Sequence, residues 1–142
     1  WLERNGGSIY DTTRATVGNV AFGTSTGLST LRGNTLYMHV FRWPGREITF
    51  SRIGNRVRSV HLLESGEQVK FEQRADRVFL SGLPRRAPNE LDTVIVLELE
   101  GEPRPWDYFR DGWEPAAAPT PAEAPAAQPA AEEPAPKAAE TP

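Results

Sequence analysis

The sequence contains no cysteine, which excludes disulfides, thiolate nucleophiles and Cys-ligated zinc and leaves the redox compartment undecided. No apolar run approaches the roughly 20 residues that a membrane helix requires. The chain starts at Trp1, without an initiator Met or a charged-then-apolar leader, and so reads as a piece of a longer protein. Histidine is scarce: His39 and His61 are the whole supply. A metal site needs three or four convergent ligands, so no metal and no cofactor are expected, and both residues read as partly buried strand histidines. There is no Gly-x-Ser-x-Gly elbow, no phosphate-binding loop and no dinucleotide fingerprint, which removes the usual nucleophile and nucleotide signatures.

What is present changes abruptly near Glu114. Residues 115–142 contain 12 Ala, 8 Pro, four Glu and one Lys, with no aromatic or branched aliphatic side chain. Ordering a backbone costs roughly 1 to 2 kcal/mol per residue, and this segment has nothing to offset that cost. It is expected to be a disordered Ala/Pro-rich tail with a polyproline bias. All four Trp, three Tyr and six Phe lie in residues 1–114, which carry 15 Lys and Arg against 15 Asp and Glu. A neutral body gives no electrostatic case for nucleic acid or an anionic membrane.

From Asn19 to Leu99 short alternating apolar runs recur between turn residues, and no helical period is sustained. The alternation predicts strands over 19–25, 35–42, 46–51, 56–63, 68–73, 77–82 and 92–100. Gly33-Asn34, Pro44-Gly45, Gly54-Asn55, Ser65-Gly66 and Ala75-Asp76 supply the turns. The expected fold is all-β, an antiparallel β-sandwich of about seven to eight strands. Ile95, Leu97 and Leu99, with Ile48, Phe50, Val69 and Phe71, should face its core.

Residues 1–18 fit the pattern poorly and read as a connector, with Trp1, Leu2, Ile9 and Tyr10 as docking anchors. Residues 102–114 mix Trp106, Tyr108, Phe109 and Trp113 with charges, and either pack back on the sandwich or form a recognition segment. The paired carboxylates Glu98 and Glu100, and Asp107 and Asp111, show no sign of the flanked cleft that glycoside hydrolysis requires.

The most informative stretch is Leu36 to Gly45, LYMHVFRWPG. A two-residue period puts Leu36, Met38 and Val40 on one face and Tyr37, His39, Phe41 and Trp43 on the other. An aromatic face of this kind stacks on sugar rings, with His39 and Arg42 available for hydroxyls. Strand aromatics are more often buried within or between domains.

The blocks WLERNGGSIY, GTSTGLSTLRGNTLYMHVFRWPG, NRVRSVHLLESG and RAPNELDTVIVLELEG resemble, in this order, the end of a bacterial α-L-fucosidase of glycoside hydrolase family 29. The likeness runs from Trp1 to about Gly101 and stops before residue 102. It implies that residues 1–18 connect to a catalytic (β/α)8-like barrel of the same enzyme and that residues 19–101 are its C-terminal β-sandwich. The retaining machinery implied for the family, an Asp nucleophile and a carboxylic acid/base, belongs to the barrel, so no catalytic residue is assigned here. The family's join reads closer to NGE-[AS]-IY-G-T, and Gly7 and Asp11 depart from it. By this resemblance Trp1, Ile9, Tyr10, Tyr37, His39, Phe41 and Trp43 are candidate domain-interface or sugar contacts, and Arg42 and Trp106 secondary sugar contacts. The partners implied are the barrel and fucosylated glycans, in a secreted or periplasmic setting. The resemblance favours a cover of protein over the aromatic face, from the join or from the barrel.

Overall fold

A computed structural model of the chain describes residues 1–15, 17, 19–20 and 27–112. The Ala/Pro-rich segment 115–142, Trp113 and residues 21–25 of the first predicted strand lie outside the described residues. Nine strands are described: β1 (Thr13–Arg14), β2 (Asn19–Val20), β3 (Gly27–Arg32), β4 (Thr35–Val40), β5 (Ile48–Ser51), β6 (Val57–Leu62), β7 (Lys70–Arg74), β8 (Arg77–Ser81) and β9 (Thr93–Leu99). They form two antiparallel sheets, ordered β1-β3-β4-β9-β6 and β2-β5-β8-β7. The short helices α1 (Leu2–Asn5) and α2 (Tyr108–Asp111) lie at either end of the described chain. No helix among the described residues is long and apolar enough to cross a membrane.

Two strands depart from expectation. Thr13–Arg14 pair with Leu31 and Thr30 as the edge strand β1, and Val17 is fully buried in the core. The expectation that residues up to 18 only connect is therefore corrected, since the sandwich begins at Thr13. Gly27–Arg32 also forms a strand that the alternation does not reveal. Its sequence, GLSTLR, places a small or polar residue among the leucines on each face, so neither face reads as apolar. Pairing with β4 through the Gly33-Asn34 turn, where Gly33 has φ +57°, holds it in place along six residues.

The core follows the alternation elsewhere. β9 lies between β4 and β6, and Leu97 stands opposite both Leu36 and Val60, while Ile95 stands opposite both Met38 and Leu62. These rows meet Ile48, Phe50, Val78 and Leu80 of the second sheet in one buried cluster. The other face of β9 is also apolar: Val94 and Val96 bury with Tyr37 beneath Trp1 and Leu63. The N-terminal segment thus covers part of the outer face of the five-stranded sheet.

The segment after Gly101 packs back on the sandwich as far as it is described. Pro105 bridges to Ile53, Gly54 N–H donates to Arg104 O at 3.0 Å, and Asn55 Oδ1 accepts from Arg104 N–H at 2.7 Å. This crossing requires glycine, because a Cβ on Gly54 would sit 2.8 Å from the Arg104 and Pro105 carbonyl oxygens. Asp107 caps α2 by accepting from the N–H groups of Phe109 and Arg110, the usual service of an N-cap carboxylate. Arg104 and the N–H of Asp107 both bond Asp111. The Arg110 guanidinium, followed by Arg104, holds the Asp111 carboxyl well below the usual carboxylate range. Tyr108 Oη donates to Asp76 Oδ2 at 2.9 Å, and the same oxygen accepts from Arg52 N–H at 3.1 Å.

Two outcomes are expected. Phe50→Ala should cost about 3–5 kcal/mol in denaturant unfolding, as truncation of a fully buried ring does, whereas Leu28→Ala, 65 % exposed, should stay within about 0.5 kcal/mol. The bond to Asp76 raises the Tyr108 phenol above its ordinary value. Its contribution to folding is therefore complete below the ordinary tyrosine range and is lost as pH rises through the raised value. NMR titration should show this raised midpoint, and Asp76→Ala should lower it.

Candidate functional site

The outer face of the five-stranded sheet brings together three polar side chains that sequence separates. Register places Thr30 of β3 opposite Tyr37 and two positions along from the partner of His39 of β4, on the same face, while His39 stands opposite Val94 of β9. Asp92 immediately precedes β9. His39 Nδ1 lies 2.7 Å from Asp92 Oδ2, and Nε2 lies 3.3 Å from Thr30 Oγ1. His39 is 5 % exposed and Asp92 8 %.

The N-terminal segment closes over this line. Trp1 Nε1 donates to Asp92 O at 2.8 Å, and Thr30 Oγ1 donates to Ser8 O. Trp1 O begins α1 by accepting from the N–H groups of Arg4 and Asn5. Arg4 is anchored on Glu64 at 2.9 Å, and Asn89 donates to the other oxygen of that carboxylate at 3.0 Å. Asn89 first, and Arg4 second, lower the Glu64 pKa from its ordinary value.

An acid, an imidazole and a hydroxyl in line invite comparison with a nucleophilic triad. The protons argue otherwise. The single Thr30 proton is committed to the Ser8 carbonyl, so the hydroxyl is not held with its proton towards His39 as a nucleophile paired with a base would be. The line is a lock between the sheet and the N-terminal segment. Among the described residues Asp92 Oδ1 is buried without a hydrogen-bond partner, and no three His, Asp or Glu side chains converge on a metal position.

Beside the lock lies an apolar recess of about 420 Å³. Thr30, His39 and Asp92 form its polar side, Trp1 one wall, and Ile9, Leu28, Phe41 and Leu91 its mouth. Leu91 is 74 % exposed and Phe41 47 %. The His39 ring stands between those of Trp1 and Phe41, with centroids at 6.3 and 6.5 Å.

Of the candidates from sequence, Trp1, Ile9, His39 and Phe41 meet here. Tyr37 is buried beneath Trp1, and its hydroxyl accepts from Arg32 at 2.7 Å. Tyr10 is exposed, with its ring against Gly6. Trp43 does not share the face of His39 and Phe41. β4 ends at Val40 and the chain bends at Phe41–Arg42, which turns the Trp43 ring onto the inter-sheet core and its Nε1 to Pro84 O at 2.8 Å. Arg42 is exposed and outside the recess. Trp106 lies in the C-terminal segment with Nε1 donating to Gly112 O at 3.3 Å. Sequence reasoning missed Leu28, Thr30, Leu91 and Asp92. The first two sit on the unrecognised strand, and the other two lie before a strand whose own apolar run draws the eye.

These features define the class: an antiparallel β-sandwich whose outer face is partly covered by its own N-terminal segment. Among solved structures the chain is similar to α-L-fucosidase isoenzyme 1 from Paenibacillus thiaminolyticus, with 28 % identity and a TM-score of 0.59 over 70 % of this chain and 24 % of that one. It is also similar to a GH29 α-L-fucosidase from Bacteroides thetaiotaomicron trapped as a covalent intermediate, with 26 % identity and a TM-score of 0.59 over 71 % of this chain and 23 % of that one. The α-fucosidase of Thermotoga maritima, 18 % identical with a TM-score of 0.57 over 69 % of this chain and 24 % of that one, shares the fold. No protein-family model and no curated protein matches the chain. The sandwich is thus similar to part of these solved α-L-fucosidases, and the chain spans about a quarter of their length.

The lock gives a measurable outcome. Thr30→Val leaves the Ser8 carbonyl and His39 Nε2 without their partner, a loss of about 1–3 kcal/mol in urea unfolding. Asp92→Ala, which strips the buried imidazole of its acid, should cost at least as much.

Proposed function

We propose that this chain is the C-terminal, non-catalytic β-sandwich of a family 29 α-L-fucosidase, and that it packs against and stabilises the catalytic (β/α)8-like barrel. The observation that carries this reading is the apolar mouth formed by Ile9, Leu28, Phe41 and Leu91. Those four side chains stay exposed although Tyr37, Val94 and Val96 on the same face are covered by Trp1 and Leu63, and clustered exposed apolar groups of this kind usually mark a contact surface.

The carboxylates support a role without chemistry of its own. Asp92 is buried against His39, Glu64 binds Arg4 and Asn89, and Asp107 and Asp111 are spent on α2. A glycosidase pair must instead flank an open cleft, one member kept protonated.

The test combines the full chain with a family 29 barrel from the same organism, supplied as a separate polypeptide. Sedimentation should show a one-to-one complex, weakened at least about tenfold by Phe41→Asp, a charge placed in an apolar contact. The chain alone should not hydrolyse an aryl α-L-fucoside, and turnover that co-purifies with it would overturn the proposal. The rings of Trp1 and Phe41 around the open recess favour one second reading, a carbohydrate-binding module. That reading predicts millimolar L-fucose binding that Phe41→Ala abolishes and no association with the barrel.

A further inference from the structure

The neutral total charge of the body conceals an uneven distribution. The loop from Phe41 to Glu47, between β4 and β5, carries Arg42 and Arg46, and the loop from Gly82 to Asp92, between β8 and β9, carries Arg85 and Arg86. Two hydrogen bonds hold these loops side by side: Trp43 Nε1 donates to Pro84 O at 2.8 Å, and Leu83 N–H donates to Arg46 O at 3.1 Å. Pro44, Pro84 and Pro88 stiffen both loops. All four guanidinium-bearing side chains are exposed, and none takes part in an ion pair or side-chain hydrogen bond among the described residues. Other arginines divide: Arg4 pairs with Glu64, Arg74 with Glu72, and Arg104 and Arg110 with Asp111, whereas Arg14, Arg52, Arg56 and Arg58 are dispersed over the surface rather than gathered on two loops held side by side. The acidic residues of the two loops are Glu47 and Glu90, apart from the buried Asp92.

We propose that this end of the sandwich binds an anionic polysaccharide, one bearing sulfate or carboxylate groups, through Arg42, Arg46, Arg85 and Arg86. Guanidinium groups pair with such oxyanions through two parallel hydrogen bonds, and four of them on two stiff loops lose little freedom on binding. A sugar polymer fits better than nucleic acid. Trp43 is turned onto the core with its N–H bonded, and the exposed ring beside Arg42, Phe41, lies at the recess against His39, so the four arginines have no run of rings among them on which successive bases could stack. The choice of polysaccharide rests on the reading of the chain as a fucosidase domain. Phe41 opens the first loop, and Leu91 and Asp92 close the second, so each loop that carries the arginines also contributes to the lining of the recess. A polymer held there would lie alongside whatever body covers the mouth.

The experiment measures binding of the full chain at low salt to dextran sulfate, polygalacturonate, uncharged dextran and duplex DNA of matched charge. Dextran sulfate or polygalacturonate should bind and uncharged dextran should not, with affinity falling steeply as salt rises. Arg85→Glu with Arg86→Glu, and separately Arg42→Glu with Arg46→Glu, should each weaken binding at least about tenfold, as loss of several charge contacts does. Arg56→Glu with Arg58→Glu, exposed residues at and beside β6, should leave binding within about twofold. No binding to either polyanion, an equal loss in the β6 variant, or DNA bound as tightly as the polysaccharides would each overturn the proposal. A chain that joins the barrel yet ignores both polyanions refutes this inference and leaves the domain reading intact. Polyanion binding without barrel association does the reverse.

Discussion

A strand apolar on both faces cannot be left at the surface, and β9 is such a strand. One face, Ile95, Leu97 and Leu99, completes the core between the sheets. The other, Val94 and Val96, must also be covered although a two-layer sandwich offers nothing to cover it. The five-stranded sheet therefore places β9 between β4 and β6, and the N-terminal segment lays Trp1 over its outer side. Once Trp1 is there, its indole N–H needs an acceptor, and the carbonyl of Asp92 at the root of the same strand supplies it. Placement of the N-terminal segment follows from the composition of one strand at the far end of the sequence.

That strand is also the most legible. The run TVIVLEL shows alternation and continuous hydrophobicity together, so its two faces can be sorted from the residues alone, and Leu36, Met38 and Val40 can be sorted with them. β3 is not readable in this way, because GLSTLR owes its conformation to the register imposed by β4 rather than to its own pattern, a case of tertiary context overriding local preference. Trp43 leaves its expected face for a related reason. Counting by twos past Val40 assumes an extended chain, and the bend at Phe41–Arg42 ends that assumption two residues early. The recess is half legible: its aromatic residues lie on a readable strand, whereas Asp92 and Thr30 become partners of His39 only through strand pairing across 53 and 9 residues. No spacing rule in the sequence connects them.

The polar groups of this domain are occupied in holding segments together. Asn55 gathers the carbonyls of Glu100 and Glu102 and the N–H of Arg104, and Gln73 reaches both the N–H of Val57 and the carbonyl of Asn55. A scaffold whose buried amides and acids are committed in this way gains rigidity at the expense of reactivity. The surfaces proposed for recognition, an apolar mouth and a set of arginines on two joined loops, both lie at one end of the sandwich.

The turn of Ala75 and Asp76 closes the hairpin of β7 and β8 with Ala75 at φ +50°, a conformation that a side chain resists. Asp76 takes the N–H of Arg52 and the hydroxyl of Tyr108 there, while Asp92 takes His39 and Trp1 in the other sheet, and the two sets share no residue. The chain therefore has two latches that can release separately. In hydrogen exchange the amides of α2 and those of the N-terminal segment would open as distinct units, so that loosening one end of the domain leaves the other fastened.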